Sequence, residues 1–300
     1  MTDVYLIVDA GGTFLKSALL KKDGTICDAS PYSVPSFSVG TEEEVKGAFN
    51  QVIEKSRTWC IANQANIRGI GISIPGPFDY HKGVSWMTHK YRCLYGIDFK
   101  KLILQSVCIN PRISIWFVHD VNAVLAGERW KGIAKHYQNV AVVTLGTGLG
   151  FTFCKNGVIQ CTEMGSPLKS IFRIPYRDGI LEDYTAKRGI IRLFEGKLGY
   201  SSGQLTVKDI GQMADEGNRM AICTFQEVGQ ILSEALQSIL IEEGISCLLF
   251  GGQISRSFIY MKDTLKKLSL KVPTLEFLSP VTSIDNDAFW GTLSMKPKDY

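Results

Sequence analysis

No segment of this 300-residue chain stays apolar for the ~18 residues a membrane-spanning helix needs; glycine or charge interrupts every candidate. Charge of one sign is never concentrated. Lys and Arg number 33 against 29 Asp and Glu, and no basic run or basic helix gathers the net +4, so a nucleic-acid partner is not expected. The eight cysteines, at 27, 60, 93, 108, 154, 161, 223 and 247, form neither CxxC nor CxC. They read as buried or free thiols of a reducing cytoplasm; a disulfide framework is not expected at this length, and no spacing supports a zinc site. A signal-peptide pattern is also missing, because an apolar strand pattern begins at once, so no membrane association and a cytoplasmic location are expected. What is present is globular: 45% hydrophobic and 21% charged residues suit a sizeable core, in two ordinary domains or one large one.

The chain opens with "VYLIVDAGGTFLKSALLKKDGTICDAS", which reads as three strands joined by a Gly-rich turn and an Asp23-Gly24 hairpin. A helix follows from Thr41, with an acidic first turn and apolar spacing at Val45, Phe49, Val52 and Ile53. "IRGIGISIPG" and "ISIWFVHD" are buried strands, "FKKLILQSV" a short helix and "VNAVLAGERWKG" a longer one. The opening pattern then returns in "NVAVVTLGTGLGFTFCKNGVIQ". A long amphipathic helix "MAICTFQEVGQILSEALQSILIEEG", the buried strand of "CLLFGGQIS", a helix, the strand "TLEFLS" and a closing helix from Asp285 to Met295 follow. Two related α/β halves are expected, the first comprising 1–119 with the C-terminal helix 285–300 and the second 120–284. Between them the pattern implies a cleft at the C-terminal strand ends.

Several motifs bear chemistry. "DAGGT" places Asp9 at a strand end, ahead of Gly11 and Gly12, whose bare backbone lets N–H groups approach a phosphate; Thr13 and Lys16 add donors. Asp9 is placed to hold Mg²⁺ through water. A plain hairpin turn is the alternative. The matching "LGTGLG", with Gly146, Thr147 and Gly148, makes the pair resemble the two jaws of a nucleotide clamp. "FGGQIS", with Gly251 and Gly252, is a strand end opening into a helix start, suited to adenosine or ribose. Asp120 stands at a strand-to-helix junction, where it can serve as N-cap, as general base, or as both.

Together these motifs resemble the ROK family (repressors, open reading frames and sugar kinases), which has an actin/hexokinase-like, ribonuclease-H-like ATPase fold of two domains around a central cleft. "DAGGT", "SIPGPFD", "HDVNAVLAGE", "LGTGLG", "TEMGS", "DGILEDYTAKRGI" and "FGGQIS" match its motifs in order across nearly the whole chain. Repressor members carry an N-terminal helix-turn-helix for which there is no room before Asp9, so the kinase branch is expected. The resemblance implies γ-phosphoryl transfer from ATP with Mg²⁺ to a sugar hydroxyl, usually the 6-OH of a hexose or N-acetylhexosamine, by a cytoplasmic homodimer. It makes Asp120 the catalytic base and gives Glu163 and Glu182 the ring hydroxyls. Ionised carboxylates only accept, and hydroxyls donate.

The chain departs from the family at two contacts. His119 replaces the Asn before the catalytic Asp, and either binds a hydroxyl or packs away from it. Ser166 replaces the His after ExG, and the three cysteines of the family's zinc loop align with Arg173, Pro175 and Ile180, so zinc is not expected. Packing of Ile171, Phe172 and Ile174 is expected to hold the loop instead. Lys90 and Arg92, in "MTHKYRCLYGIDFKK", either reach substrate or form a solvated basic loop; the second is the expected account.

Overall fold

Two groups of apolar strands, one from each half of the sequence, assemble two five-stranded sheets in a computed structural model that describes residues 1–105, 110, 112–201 and 203–298. Cys108 lies outside the described residues, as does the end of the segment expected to form a helix from Phe99. None of the seven described cysteines is in a disulfide. The chain divides into two compact units. The first holds Met1–Lys131, Cys161–Pro167 and the C-terminal segment from Asp285; the second holds Gly132–Gln160 and Leu168–Ile284.

In the first unit, β1 (Thr2–Ala10) pairs antiparallel with β2 (Phe14–Leu20), and β2 with β3 (Tyr32–Pro35). On its other side β1 runs parallel to β4 (Ala65–Ile74), which runs parallel to β5 (Ser114–His119). The third strand differs from expectation. "TICDAS" contributes only an isolated bridge, Leu20 to Ile26, because the Ser30 hydroxyl accepts the Leu19 N–H at 3.1 Å and Ala29 adopts φ 54°. The strand forms further on, at Tyr32.

Helix α1 (Glu42–Ala62) begins at a capping box: Thr41 accepts the Glu44 N–H while the Glu44 carboxylate accepts the Thr41 N–H. Its face of Val45, Phe49, Val52 and Ile53 is buried in one core with Leu6, Val8, Ile70 and Ile72. A short helix, α2 (Phe99–Leu104), adds the fully buried Phe99. On the opposite side of the sheet, α3 (Asp120–Trp130) meets the C-terminal helix Asp287–Ser294. The two backbones approach so closely that a side chain at Gly127 would strike the Asp287 carbonyl, and one at Gly291 the Ala123 carbonyl. Trp116 lies over Gly69 and Gly71 and donates its ring N–H to the Thr292 carbonyl at 2.8 Å. This packing keeps α3 with the first unit, so the units part after Lys131 rather than at the expected 119–120 junction.

The second unit repeats the pattern. β6 (Val140–Leu145), β7 (Leu149–Lys155) and β8 (Val158–Ile159) form a meander with an Asn156-Gly157 turn at φ 51° and 78°, both in the left-handed region that Asn and Gly tolerate. β9 (Cys247–Gly251) runs parallel to β6 and to β10 (Phe277–Pro280). Among the described residues this unit has six helices: α4 (Glu182–Thr185), α5 (Lys187–Leu198), α6 (Val207–Asp215), the long α7 (Arg219–Glu242), α8 (Phe258–Leu265) and α9 (Lys267–Lys271). The core runs from Phe151 and Phe153 through Phe225, Leu232 and Leu236 to Phe250. Among the described residues no helix is long and apolar enough to cross a membrane.

Candidate active site

Asp9 closes β1 beside Lys16 on β2 and Ser73 on β4, as the strand register dictates. The Ser73 hydroxyl, fully buried, donates to Asp9 Oδ1 at 2.8 Å. Burial raises the Asp9 carboxyl above the ordinary range; the Ser73 hydroxyl opposes this, the charge of Asp120 adds to it and Lys16 opposes it. A carboxylate raised by burial and by a second carboxylate is one that a divalent cation would relieve. Among the described residues no three His, Cys, Asp or Glu side chains are grouped to hold a metal ion. An ion at Asp9 would therefore draw its other ligands from water and phosphate, as Mg²⁺ does.

After Asp9 the backbone turns. The Gly11 N–H donates to the Phe14 carbonyl at 3.0 Å, the Gly11 carbonyl accepts the Tyr91 hydroxyl at 2.8 Å, and the Gly12 carbonyl accepts the Ser38 hydroxyl. Tyr91 is fully buried in a left-handed conformation, φ 48°, and its own N–H donates to the Ser38 carbonyl. Ser38 and Tyr91 thus fix both carbonyls of the glycine pair. Thr13 is exposed.

Asp120 is the first residue of α3, not its cap; His119 holds the cap position. The reason is local: Asp120 Oδ1 accepts the Val121 N–H at 2.8 Å, within its own turn. His119 Nδ1 lies 3.3 Å from that same N–H and 2.8 Å from Asp120 Oδ1. The shorter bond takes the Val121 proton, which leaves Nδ1 to carry a proton toward Asp120. The Asp120 side chain is ringed by protein yet remains 45% accessible, and that opening weakens the burial penalty. Burial pushes its carboxyl up, but the charge and hydrogen bond of His119, then Lys90 and the Val121 N–H, hold it below the ordinary carboxylate range. His119 is neither a core histidine nor simply open to a ligand: its side chain is 17% accessible, its ring centroid stands 5.6 Å from that of Tyr80, and its nitrogen serves Asp120.

Residues 161–167 form a tight turn fastened within the first unit. Thr162 N–H donates to the Ser166 carbonyl at 2.8 Å, Gly165 has φ 85°, and Tyr80 N–H donates to the Met164 carbonyl at 2.9 Å. The fully buried Asn122, two residues after Asp120 on α3, donates to the Gly165 carbonyl at 3.2 Å. Glu163 is exposed on this turn and Ser166 half-buried. A cavity of about 400 Å³ along β5 is lined by Tyr80, Phe117, His119, Cys161 and Gly165 among others, but not by Asp9, Asp120 or Glu163.

In the second unit the "LGTGLG" turn joins β6 to β7. Gly146 N–H donates to the Gly148 carbonyl at 3.1 Å, the Gly146 carbonyl accepts the Lys187 N–H at 3.0 Å, and Thr147 is exposed. Glu182 reaches this turn: its Oε2 accepts the Leu149 N–H at 2.7 Å, and a Cβ on Gly148 would stand 2.8 Å from that oxygen. Gly251 ends β9 opposite Thr144, and Gly252, at φ 80°, packs so closely that a side chain would strike the Leu145 carbonyl. The two glycine motifs of this unit therefore meet at adjacent strand ends.

The loop between Ser166 and Glu182 is held by packing and charge. Ile171 is fully buried, with Phe172 and Ile174 packed against the same core. Pro175–Tyr176 pairs with Gly179–Ile180 as a small hairpin. Arg177 lies over the rings of Tyr176 and Tyr184, at 5.3 and 5.4 Å, and bridges to Glu227 at 3.3 Å; Tyr184 also bonds Asp178 and carries Arg192 on its ring at 4.7 Å. Arg173 stacks on Phe172 at 5.2 Å.

Sequence reasoning missed Ser73, Tyr91 and Asn122. Ser73 had a signal, a hydroxyl inside the apolar run "GIGISI"; the other two are read only from their hydrogen bonds.

The ROK family model matches residues 5–278, and the chain belongs to that family. A glucokinase from Halalkalibacterium halodurans is 24% identical over 275 residues, covering 84% of this chain and 81% of the relative. A ROK family glucokinase from Streptomyces griseus, solved with glucose and AMPPNP, matches with a TM-score of 0.80 at 17% identity, over 98% of this chain and 99% of that one. A ROK family transcriptional regulator matches with a TM-score of 0.82 at 14% identity, over 99% of this chain and 78% of that one. These likenesses establish the expected actin/hexokinase-like two-sheet fold.

Proposed function

We propose that this chain is an ATP-dependent sugar kinase that phosphorylates a hexose or N-acetylhexosamine, at the 6-hydroxyl. The observation that carries this reading is Asp120, held at a rigid helix start below the ordinary carboxylate range and beside the Asp9 to Gly12 turn. An ionised, half-open carboxylate of this kind accepts a hydroxyl proton. As the sugar oxygen bonds to the γ-phosphorus, its proton passes to Asp120 and the bond from phosphorus to the ADP oxygen breaks. Asp9, supported by Ser73, is the residue that would hold Mg²⁺, which supplies charge neutralisation on the phosphates when bound. Gly11, Gly12, Thr13 and Lys16 in the first unit, and Gly146, Thr147 and Gly148 in the second, offer donors to phosphate; Gly251 and Gly252 leave room for the nucleoside. Glu163, Ser166 and Glu182 take sugar hydroxyls, and His119 Nε2 remains for another. Glucokinases and beta-glucoside kinases are among the relatives, which favours a hexose.

Incubation with MgATP and a panel of hexoses and N-acetylhexosamines, with the phosphorylated position read by phosphorus–proton NMR, tests this. A sugar 6-phosphate is expected. Phosphate at another hydroxyl corrects the regiochemistry, and no phosphorylated sugar at all overturns the reading. His119 and Ser166 favour one second reading, a sugar-binding sensor without turnover; it predicts sugar binding and no product.

A further inference from the structure

Lys90 belongs to a loop whose sequence suits a solvated basic segment, and its neighbour Arg92 is indeed exposed. Lys90 itself is not. It is half-buried and lies against the Gly11-Gly12 turn, where a Cβ built on Gly12 would stand 3.3 Å from Lys90 Cε, 3.5 Å from Cδ and 3.6 Å from Nζ. Gly12 thus does more than bare its own N–H; any larger residue would press on the lysine. The next residue anchors this position, since Tyr91 is fully buried and bonded to both Ser38 and Gly11. Among the described residues no carboxylate pairs with the Lys90 ammonium within 4.0 Å, although its charge reaches Asp120. A lysine held over a glycine turn, beside a base and without an anion of its own, has room for one.

We propose that Lys90 is a catalytic residue that binds the γ-phosphoryl group of ATP and stabilises it during transfer. The proposal rests on the kinase reading of the site. Lys90 donates to the non-bridging phosphoryl oxygens, while the sugar proton goes to Asp120 and the phosphorus–oxygen bond to ADP breaks. Its charge faces the oxygens on which negative charge gathers, and its fixed position spares reorganisation at the moment of transfer.

The test compares Lys90→Met, Lys90→Arg and Arg92→Met with wild type, by calorimetric titration of Mg-AMPPNP and Mg-ADP and by steady-state kinetics. Loss of a charge-assisted contact to the terminal phosphate should weaken AMPPNP about tenfold or more in Lys90→Met while ADP changes less than about twofold. The kcat should fall about 10²–10³-fold with little change in the sugar KM. Lys90→Arg should recover part of the loss, and Arg92→Met, which removes an equal charge two residues on, should behave as wild type. Equal effects of Lys90→Met on AMPPNP and ADP, or none on either, overturn the proposal. A wild-type chain that distinguishes the nucleotides through Lys90 but phosphorylates no sugar overturns the kinase reading and leaves the phosphate contact standing.

Discussion

Glu182 Oε2 accepts the backbone N–H of Leu149 at 2.7 Å, so a carboxylate expected to serve the sugar also braces the second glycine turn. Gly148 makes this possible, because any Cβ there would crowd the same oxygen. Glu182→Ala should therefore weaken Mg-AMPPNP by about tenfold as well as raise the sugar KM, from loss of one charge-assisted bond. A change in sugar KM with nucleotide affinity untouched would confine Glu182 to the sugar.

His119 sets the basicity of Asp120. Burial raises the Asp120 carboxyl, and the charge and hydrogen bond of His119 are the largest influences that bring it down. A general base works only when ionised, so in the proposed role a depressed pKa keeps Asp120 active down through the ordinary carboxylate range. His119→Ala removes that support, so Asp120 should hold its proton to higher pH. The acid limb of the kcat/KM profile should move upward, a shift that a purely structural role for His119 would not produce.

Ile171 anchors the loop between Ser166 and Glu182 by packing. It is fully buried in the second unit's core, and cutting it to alanine leaves a cavity worth about 2–5 kcal/mol. Chemical denaturation of Ile171→Ala should show that loss. Dialysis of the wild-type protein against a strong zinc chelator should leave its stability unchanged, whereas a chelator-dependent midpoint would show that a metal supports the loop.

Much of this was legible in the residues. Val45, Phe49, Val52 and Ile53 marked α1, Thr41 with Glu44 marked its start, and the repeated strand–glycine–strand pattern marked two sheets, because periodicity and caps are local signals. The third strand slipped from Thr25 to Tyr32 because a side-chain bond from Ser30 displaced the ladder, a competition that β propensity does not register. Asp120 was located correctly on the junction but sits one place inside the helix, since its carboxylate satisfies Val121 rather than a later N–H. Lys90 illustrates the larger gap. In sequence it is one base in a polar loop, and only the buried Tyr91 beside it, bonded to a carbonyl eighty residues away, fixes where that base lies.

Sugar-dependent ADP release, measured side by side for wild type and Asp120→Asn against glucose, mannose, fructose, allose, N-acetylglucosamine and N-acetylmannosamine, tests the assignment of base and activity most directly. Wild type should release ADP with at least one of these sugars. The variant should lose about 10²–10⁴-fold of that rate while still binding Mg-AMPPNP. Undiminished turnover in Asp120→Asn, or ADP release by wild type that no sugar accelerates, would contradict it.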